Sequence, residues 1–532
     1  MNTQDNPARS KKTWVYILSA FVFLKISLHV ILNAQWSFHR DELLYLALGR
    51  HLAWGYASVP PAIGFWAWFG DSVLGGSVGA IRLIATLFGS ITVLMTGLIA
   101  KEIWPTTKAP FTGNWSMTLI GMAGITAGAF LRPSMLFMPV VFDVFYWTLL
   151  CWIFIKYINT NDTSWLLYFG FTAGLGLLNK YTVLIFLFSM LPGLLLTSYR
   201  KIFSRRQLYY AIGSTLLILS PNIYWQYTHS FPVFEHMSKL SATQFSHVSL
   251  SGFAIDQLLF FLPALPIWIA GLYVLLICKE TAPWRIFGWM YLMVILILLA
   301  FSAKSYYSIG AYPVLIAAGA VYLENKTQDK WRMIRYILPG WMILFGLINL
   351  PASLPLLPPA KEARFVKVLT RIPGMEGILR WEDGRQYDLP QDFADMLGWK
   401  EIALHTGKTW QNITDKKTAD IYAENYGQAG AIEHFGKPYD LPQVLSFSDS
   451  YRYWLPDTLP ADFQTLIYVN DELGSDMPGY FQKIEKVFEL DMPLSRQHGT
   501  QIYLCQYPTP AFFDRMNNAF KLFKTTQPSG ND

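Results

Sequence analysis

The most regular feature of the chain is a succession of apolar runs of roughly 15 to 25 residues separated by short polar breaks, lengths that match a hydrocarbon core of about 30 Å. Eleven are legible, at 14–32, 78–100, 115–131, 139–158, 165–178, 182–197, 208–224, 253–277, 284–302, 307–323 and 333–350. They predict an α-helical polytopic membrane protein with about eleven transmembrane helices. The first run follows a polar, basic segment and ends in Asn33-Ala34-Gln35-Trp36 without a small-residue cleavage site, so it reads as a retained span and not a signal peptide. Two long polar loops, 34–77 and 226–252, interrupt the series.

After Pro351 the pattern changes. Pro351, Pro355, Pro358 and Pro359 form a linker, and charges and turn residues become frequent. The division predicted is a membrane domain over 1–352 and a soluble domain over 360–532. In the latter, β-rich runs at 419–423, 443–447, 465–469 and 500–507 alternate with helical stretches at 391–405, 428–435 and 511–523. A small C-terminal α/β domain is expected.

Composition supports the bilayer as solvent: 53% of residues are hydrophobic and only 15% charged, with 20 Trp, 29 Tyr and 37 Phe. Cys151, Cys278 and Cys505 lie far apart and suggest neither a disulfide framework nor a zinc site. The net charge of +6 calls for no nucleic-acid partner, because the basic residues cluster beside spans. Arg9/Lys11/Lys12, Lys101/Lys108, Lys156, Arg200/Lys201/Arg205/Arg206, Lys279/Arg285 and Lys326/Lys330/Arg332/Arg335 all fall on one side, which the positive-inside rule makes cytoplasmic. An odd number of spans then places the N-terminus inside, and both long loops and the C-terminal domain outside.

The candidate chemistry lies on the outer side. The first loop begins Phe38-His39-Arg40-Asp41-Glu42-Leu43-Leu44-Tyr45, and 41–52 has the spacing of an amphipathic helix lying along the membrane surface. Asp41 and Glu42 at its start are either reactive carboxylates or caps that complement the helix dipole. Asp143 falls inside an apolar run, where a carboxylate is costly unless it faces a polar cavity or a partner; a structural salt bridge or cap is the alternative. Lys180 and Lys304 each interrupt two apolar runs at outer boundaries, where a lysine also simply snorkels to the interface. The second loop adds His229, Glu235, His236 and Lys239, with no HxxxH or HExxH spacing to favour a metal. Topology alone predicts that Asp41, Glu42, Asp143, Lys180 and Lys304 gather at the same membrane face.

Five segments in order carry a resemblance: Arg40-Asp41-Glu42-Leu-Leu-Tyr45 through Gly49-Arg50-His51 to Pro60-Pro61; Phe142-Asp143; Gly174 to Tyr181; Pro221-Asn222 through Trp225-Gln226 and His229 to Pro232; and Lys304 through Tyr307 to Pro313. Asn425-Tyr426-Gly427-Gln428-Ala429-Gly430-Ala431 extends it into the C-terminal domain. The chain resembles the bacterial glycosyltransferase family 39 proteins, relatives of the dolichyl-phosphate-mannose protein mannosyltransferases, the lipid A aminoarabinose transferases and the transferases that decorate the lipopolysaccharide core. The resemblance implies a C-type glycosyltransferase fold and an inverting transfer from a polyprenyl-phosphate-linked sugar. The acceptor would be a hydroxyl of lipid A or core oligosaccharide, another glycan or a protein, at the outer face of a bacterial cytoplasmic membrane.

It further implies Asp41 as general base, with Glu42 and Asp143 as the other carboxylates of the catalytic set, Glu42 orienting the loop or the acceptor because neighbouring helix residues point about 100° apart. Tyr45, Lys180, His229, His236, Lys304 and Tyr307 are the candidates for the donor phosphate or substrate. The aminoarabinose-transferring relatives carry a lysine before the proline near the end of the first loop, where this chain has Val59-Pro60-Pro61. No metal or other cofactor is expected, although some relatives hold a divalent ion. The rival readings are a multispan transporter or lipid flippase, whose signs are repeated halves and polar groups at the bilayer midplane, and a noncatalytic membrane scaffold. The sugar, the acceptor and the oligomeric state are not legible.

Overall fold

In the computed structural model, residues 13–103, 113–243, 249–328, 330–372 and 374–525 are described; Arg9, Lys11, Lys12 and Lys108 of the basic loops lie outside them. Every one of the eleven apolar runs is helical. Among the described residues, six helices are long and apolar enough to cross a membrane: Thr13–Leu32, Val78–Ile103, Pro139–Thr160, Ala282–Ala300, Ser305–Lys326 and Ile334–Ser353. Two bent pairs, Val183–Leu195 with Ser198–Ser204 (114°) and Leu250–Leu259 with Leu262–Ile277 (70°), raise the number to eight if each counts as one span. Of the remaining runs, 115–131 is broken, 165–178 forms the 16-residue helix Ser164–Asn179, and 208–224 lies in the 23-residue helix Arg206–Thr228. The protein is therefore a multi-pass membrane protein with a small C-terminal sheet domain.

The chain divides into two units. The first comprises 1–35, 79–222 and 241–357 and holds the apolar bundle. Gly271 and Gly319 face each other where helices Leu265–Ile277 and Tyr312–Lys326 cross, and a methyl on either would collide with the other helix's backbone, the close approach that small residues permit between helices in a bilayer. The run at 115–131 is broken at Ala127, whose extended backbone (φ −80°, ψ 126°) separates helices Asn114–Thr126 and Gly128–Met135. Lys25 and His29, buried in the first helix, answer the break. Lys25 Nζ donates to the carbonyls of Gly124 (3.1 Å) and Phe130 (2.6 Å), and the His29 ring meets the Leu131 carbonyl at 3.1 Å. Of these carbonyls, that of Gly124 ends the broken helix, and a backbone group freed at membrane depth needs such a partner.

The second unit comprises 36–78, 223–240 and 358–532, so parts of both long loops fold with the C-terminal domain. Its four-stranded sheet has the order β1-β2-β4-β3, with β1 Ala419–Ala423, β2 Thr465–Asn470, β3 Phe481–Glu489 and β4 Gln501–Pro508. β1 and β2 are parallel and the other pairs antiparallel. Along β2 the side chains alternate between faces. Leu466 and Tyr468 join the cluster of Phe512, Met516 and Phe520 from the last helix, Pro510–Thr525, and helices Trp399–Gln411 and Tyr426–Phe435 also pack on the sheet.

Three local expectations need correction. The run at 443–447 forms only a single bridge, Tyr422 to Leu445, and no strand. The predicted helix at 391–405 is cut by Gly398 in the left-handed region (φ 89°). The helix starting at Arg40 does not offer its apolar residues to a lipid surface: Glu42 through Gly49 are all buried, and it packs against helices Ala62–Ser72 and Tyr426–Phe435.

Candidate active site

In the second unit, helix Arg40–Arg50 is started by a reciprocal cap. His39 is extended, its Nδ1 accepts from the Asp41 N–H at 3.0 Å, and its own N–H donates to the Glu42 carboxylate at 2.7 Å. This separates two carboxylates that look alike in the sequence. Glu42, fully buried, serves the helix start. Asp41 is not spent on the cap; its Oδ1 accepts from the Tyr426 hydroxyl at 2.8 Å. Among the described residues, Oδ2 has no hydrogen-bond partner.

Tyr426 is placed by the C-terminal domain. Asn425 caps helix Tyr426–Phe435, its Oδ1 accepting from the N–H groups of Gly427 and Gln428 at 3.0 Å each. Gly427 and Gly430 let that helix lie against Arg40–Arg50: a methyl on Gly427 would stand 2.7 Å from Arg40 Cγ. The Arg40 guanidinium lies 4.4 Å over the Tyr426 ring, a cation–π contact. Burial, and then the neighbouring Asp41 carboxylate, push the Tyr426 phenol well above its ordinary range, so it stays a neutral donor.

Beneath this pair, Asp395 ties the helix start to the domain. Its carbonyl accepts from the Arg40 N–H at 3.0 Å, and its carboxylate lies 3.6 Å from His39 Nε2 and 3.2 Å from Arg496. Burial raises the Asp395 carboxyl above its usual range, and His39 and Arg496 pull it back. At the other end of the helix, Arg50 pairs with Glu433 at 3.1 Å beside a cavity of about 350 Å³ lined also by His51, Lys437 and Gln443. Tyr45 is buried. His229 is stacked on Trp225 at 4.0 Å, with Nδ1 2.9 Å from that residue's carbonyl; among the described residues no hydrogen bond, ion pair or ring contact joins it to helix Arg40–Arg50. His236 sits in helix Pro232–Thr243, whose Glu235 binds Arg452 at 3.1 Å.

In the first unit, Asn179-Lys180-Tyr181-Thr182 is a run of anchors. Asn179 donates to the Pro139 carbonyl at 3.0 Å, Tyr181 to Asn222 at 2.8 Å and Thr182 to Asp143 Oδ2 at 2.8 Å. Asp143 Oδ1 accepts from Trp147 Nε1 at 3.1 Å, one helical turn on. Both Asp143 oxygens are thus engaged in a residue only 3% exposed. Lys180 leaves helix Ser164–Asn179 in extended conformation, and its Nζ lies 4.5 Å from the Tyr307 ring centre and 5.2 Å from that of Tyr306. The charged groups acting on it are the Asp143 carboxylate and the Lys304 ammonium, the latter at the start of turn Ser305–Ala311. Neither lysine has a carboxylate within ion-pair distance among the described residues.

The structure thus brings Asp143, Lys180, Lys304 and Tyr307 together in one unit, and adds Thr182 and Trp147, which sequence reasoning missed. In the other unit it adds Tyr426 and Asp395 to Asp41. Tyr426 lay within a quoted motif, but nothing in the sequence pairs it with a residue 385 positions away. Among the described residues, no group of three or more His, Cys, Asp or Glu side chains is placed to hold a metal ion.

Residues 58–225 match the family described as dolichyl-phosphate-mannose-protein mannosyltransferase. Among solved structures, the fold is similar to ArnT from Cupriavidus metallidurans, bound to undecaprenyl phosphate, with a TM-score of 0.57 and 13% identity over 93% of this chain and 98% of that one. The chain has the fold of a C-type glycosyltransferase. The archaeal oligosaccharyltransferase AglB from Archaeoglobus fulgidus, in complex with an inhibitory peptide and a dolichol-phosphate, is also found, at 11% identity and a TM-score of 0.43 over 86% of this chain and 69% of that one. No curated protein matches. The similarity to ArnT covers 93% of this chain and so extends into both units.

Proposed function

We propose that the protein is a membrane glycosyltransferase that moves a sugar from a polyprenyl-phosphate donor to a hydroxyl of a cell-envelope acceptor, at the outer face of a bacterial cytoplasmic membrane. The observation that carries this reading is the pair of ammonium groups, Lys180 and Lys304, held near each other in an apolar bundle without a carboxylate at ion-pair distance among the described residues. Two cations near each other in an apolar bundle, with one carboxylate acting on them from beyond ion-pair distance, are costly, and a phosphate on a lipid carrier supplies further negative charge. ArnT, the fold neighbour, was solved with such a lipid phosphate.

The step is a single displacement. The acceptor hydroxyl oxygen attacks the anomeric carbon while Asp41 Oδ2 takes its proton. The bond from the anomeric carbon to the phosphate oxygen breaks, its electron pair leaving with the polyprenyl phosphate. Configuration inverts. Charge grows on the leaving phosphate in the transition state, and Lys180 and Lys304 stabilise it there. Asp143 acts through Lys180, because both its oxygens are occupied by Trp147 and Thr182. The N-terminus lies in the cytoplasm and the C-terminal domain outside.

Purified protein in nanodiscs, given a panel of polyprenyl-phosphate sugars and membrane-extract acceptors, tests this. Transfer that requires a lipid-linked donor and collapses in Asp41→Asn supports it. Transfer that survives Asp41→Asn removes Asp41 as base. No use of any donor, with lipid or solute crossing in liposomes, replaces it with a transporter.

A further inference from the structure

We infer that Tyr426 of the C-terminal domain is a positioning residue for the transfer, fixing the Asp41 carboxylate so that one oxygen is held and the other is presented to the acceptor. This rests on the reading of Asp41 as the base. A lone aspartate near the first turn of a helix turns among rotamers and exposes either oxygen. Here the Tyr426 hydroxyl occupies Oδ1 at 2.8 Å and leaves Oδ2 without a partner among the described residues.

The donor is itself held in place. Tyr426 is half-buried, follows the Asn425 cap, and has its ring covered by Arg40 at 4.4 Å. Two glycines bring its helix against the loop helix: a methyl at Gly427 would meet Trp399 at 2.8 Å as well as Arg40, and one at Gly430 would meet the Leu43 carbonyl. A residue that shapes a reacting group in this way affects turnover more than substrate affinity. The C-terminal domain is then part of the catalytic apparatus and not only a surface for acceptors.

The test is kinetic, on the full-length protein in nanodiscs. Tyr426→Phe deletes the hydroxyl and keeps the ring under Arg40. Its kcat is expected to fall about tenfold, the size of a lost hydrogen bond to a charged group, with donor KM and unfolding midpoint unchanged. The residual rate of Asp41→Asn, followed in long incubations, is expected not to fall further when Tyr426→Phe is added. A Tyr426→Phe variant with wild-type kcat, beside an inactive Asp41→Asn, overturns the inference and leaves the base reading standing. Losses that multiply in the double variant overturn it as well, placing the tyrosine's effect elsewhere. Full activity in Asp41→Asn overturns the base reading and takes this inference with it.

Discussion

Gly430 lies directly against the backbone of Leu43: a methyl on its α-carbon would stand 2.8 Å from the Leu43 carbonyl oxygen and 3.0 Å from its Cβ. No flexible side-chain end is there to yield, so the two helices must part. Gly430→Val is expected to loosen the docking of helix Tyr426–Phe435 on Arg40–Arg50 and to cost about 1–3 kcal/mol, the range for overpacking. Protease cleavage in the first loop should rise together with a lower unfolding midpoint, and Gly430→Ala should give a weaker form of both.

The two lysines, neither in an ion pair among the described residues, make a prediction about affinity. Lys180→Ala removes a cation from the proposed phosphate site and is expected to raise the donor KM about 10- to 100-fold. Tyr307→Leu, which removes only the aromatic face 4.5 Å from that ammonium, should raise it about two- to fivefold. Steady-state kinetics with varied donor separates these, and equal donor KM values in all three proteins would remove the lysine from the phosphate site.

The sequence made the bundle legible because burial in lipid imposes a length and composition that no other structure shares; all eleven runs are helical. It was less informative wherever partners distant in sequence decide. β3, Phe481–Glu489, escaped notice because it is an edge strand bearing Lys483, Glu485, Lys486 and Glu489, whose pattern is mostly exposed. Helix Arg40–Arg50 has the spacing of a membrane-surface helix, yet the C-terminal domain covers the apolar side such a helix would give to lipid. Asp41 and Glu42 are adjacent carboxylates that only the family motif tells apart in the sequence. Only the structure shows that one completes a cap on His39 while the other meets Tyr426.

Asp143 has both oxygens engaged, and this distinguishes a supporting role from a reacting one. Thr182→Val removes one of its donors while keeping the carboxylate. If Asp143 works through Lys180, Thr182→Val should raise the donor KM about two- to fivefold, and Asp143→Asn should raise it further. Were Asp143 the base, Asp143→Asn would abolish kcat and Thr182→Val would leave KM where it was.

Asp420 on β1 makes a prediction about pH. Burial pushes its carboxyl up to about 6 from an ordinary 3.8, with no countercharge to offset it. The native state therefore keeps its proton over a pH range in which the unfolded chain has released it. The favourable contribution of the protonated group is complete below about pH 4 and fades as pH rises through about 6. Asp420→Asn, neutral at every pH, should match the wild type at pH 4 and be more stable at pH 8, by about 1 kcal/mol once partial exposure is allowed for. Thermal unfolding of the full-length protein at the two pH values checks it. An equal midpoint difference at both would mean that the asparagine acts through packing or hydrogen bonding and not through the charge.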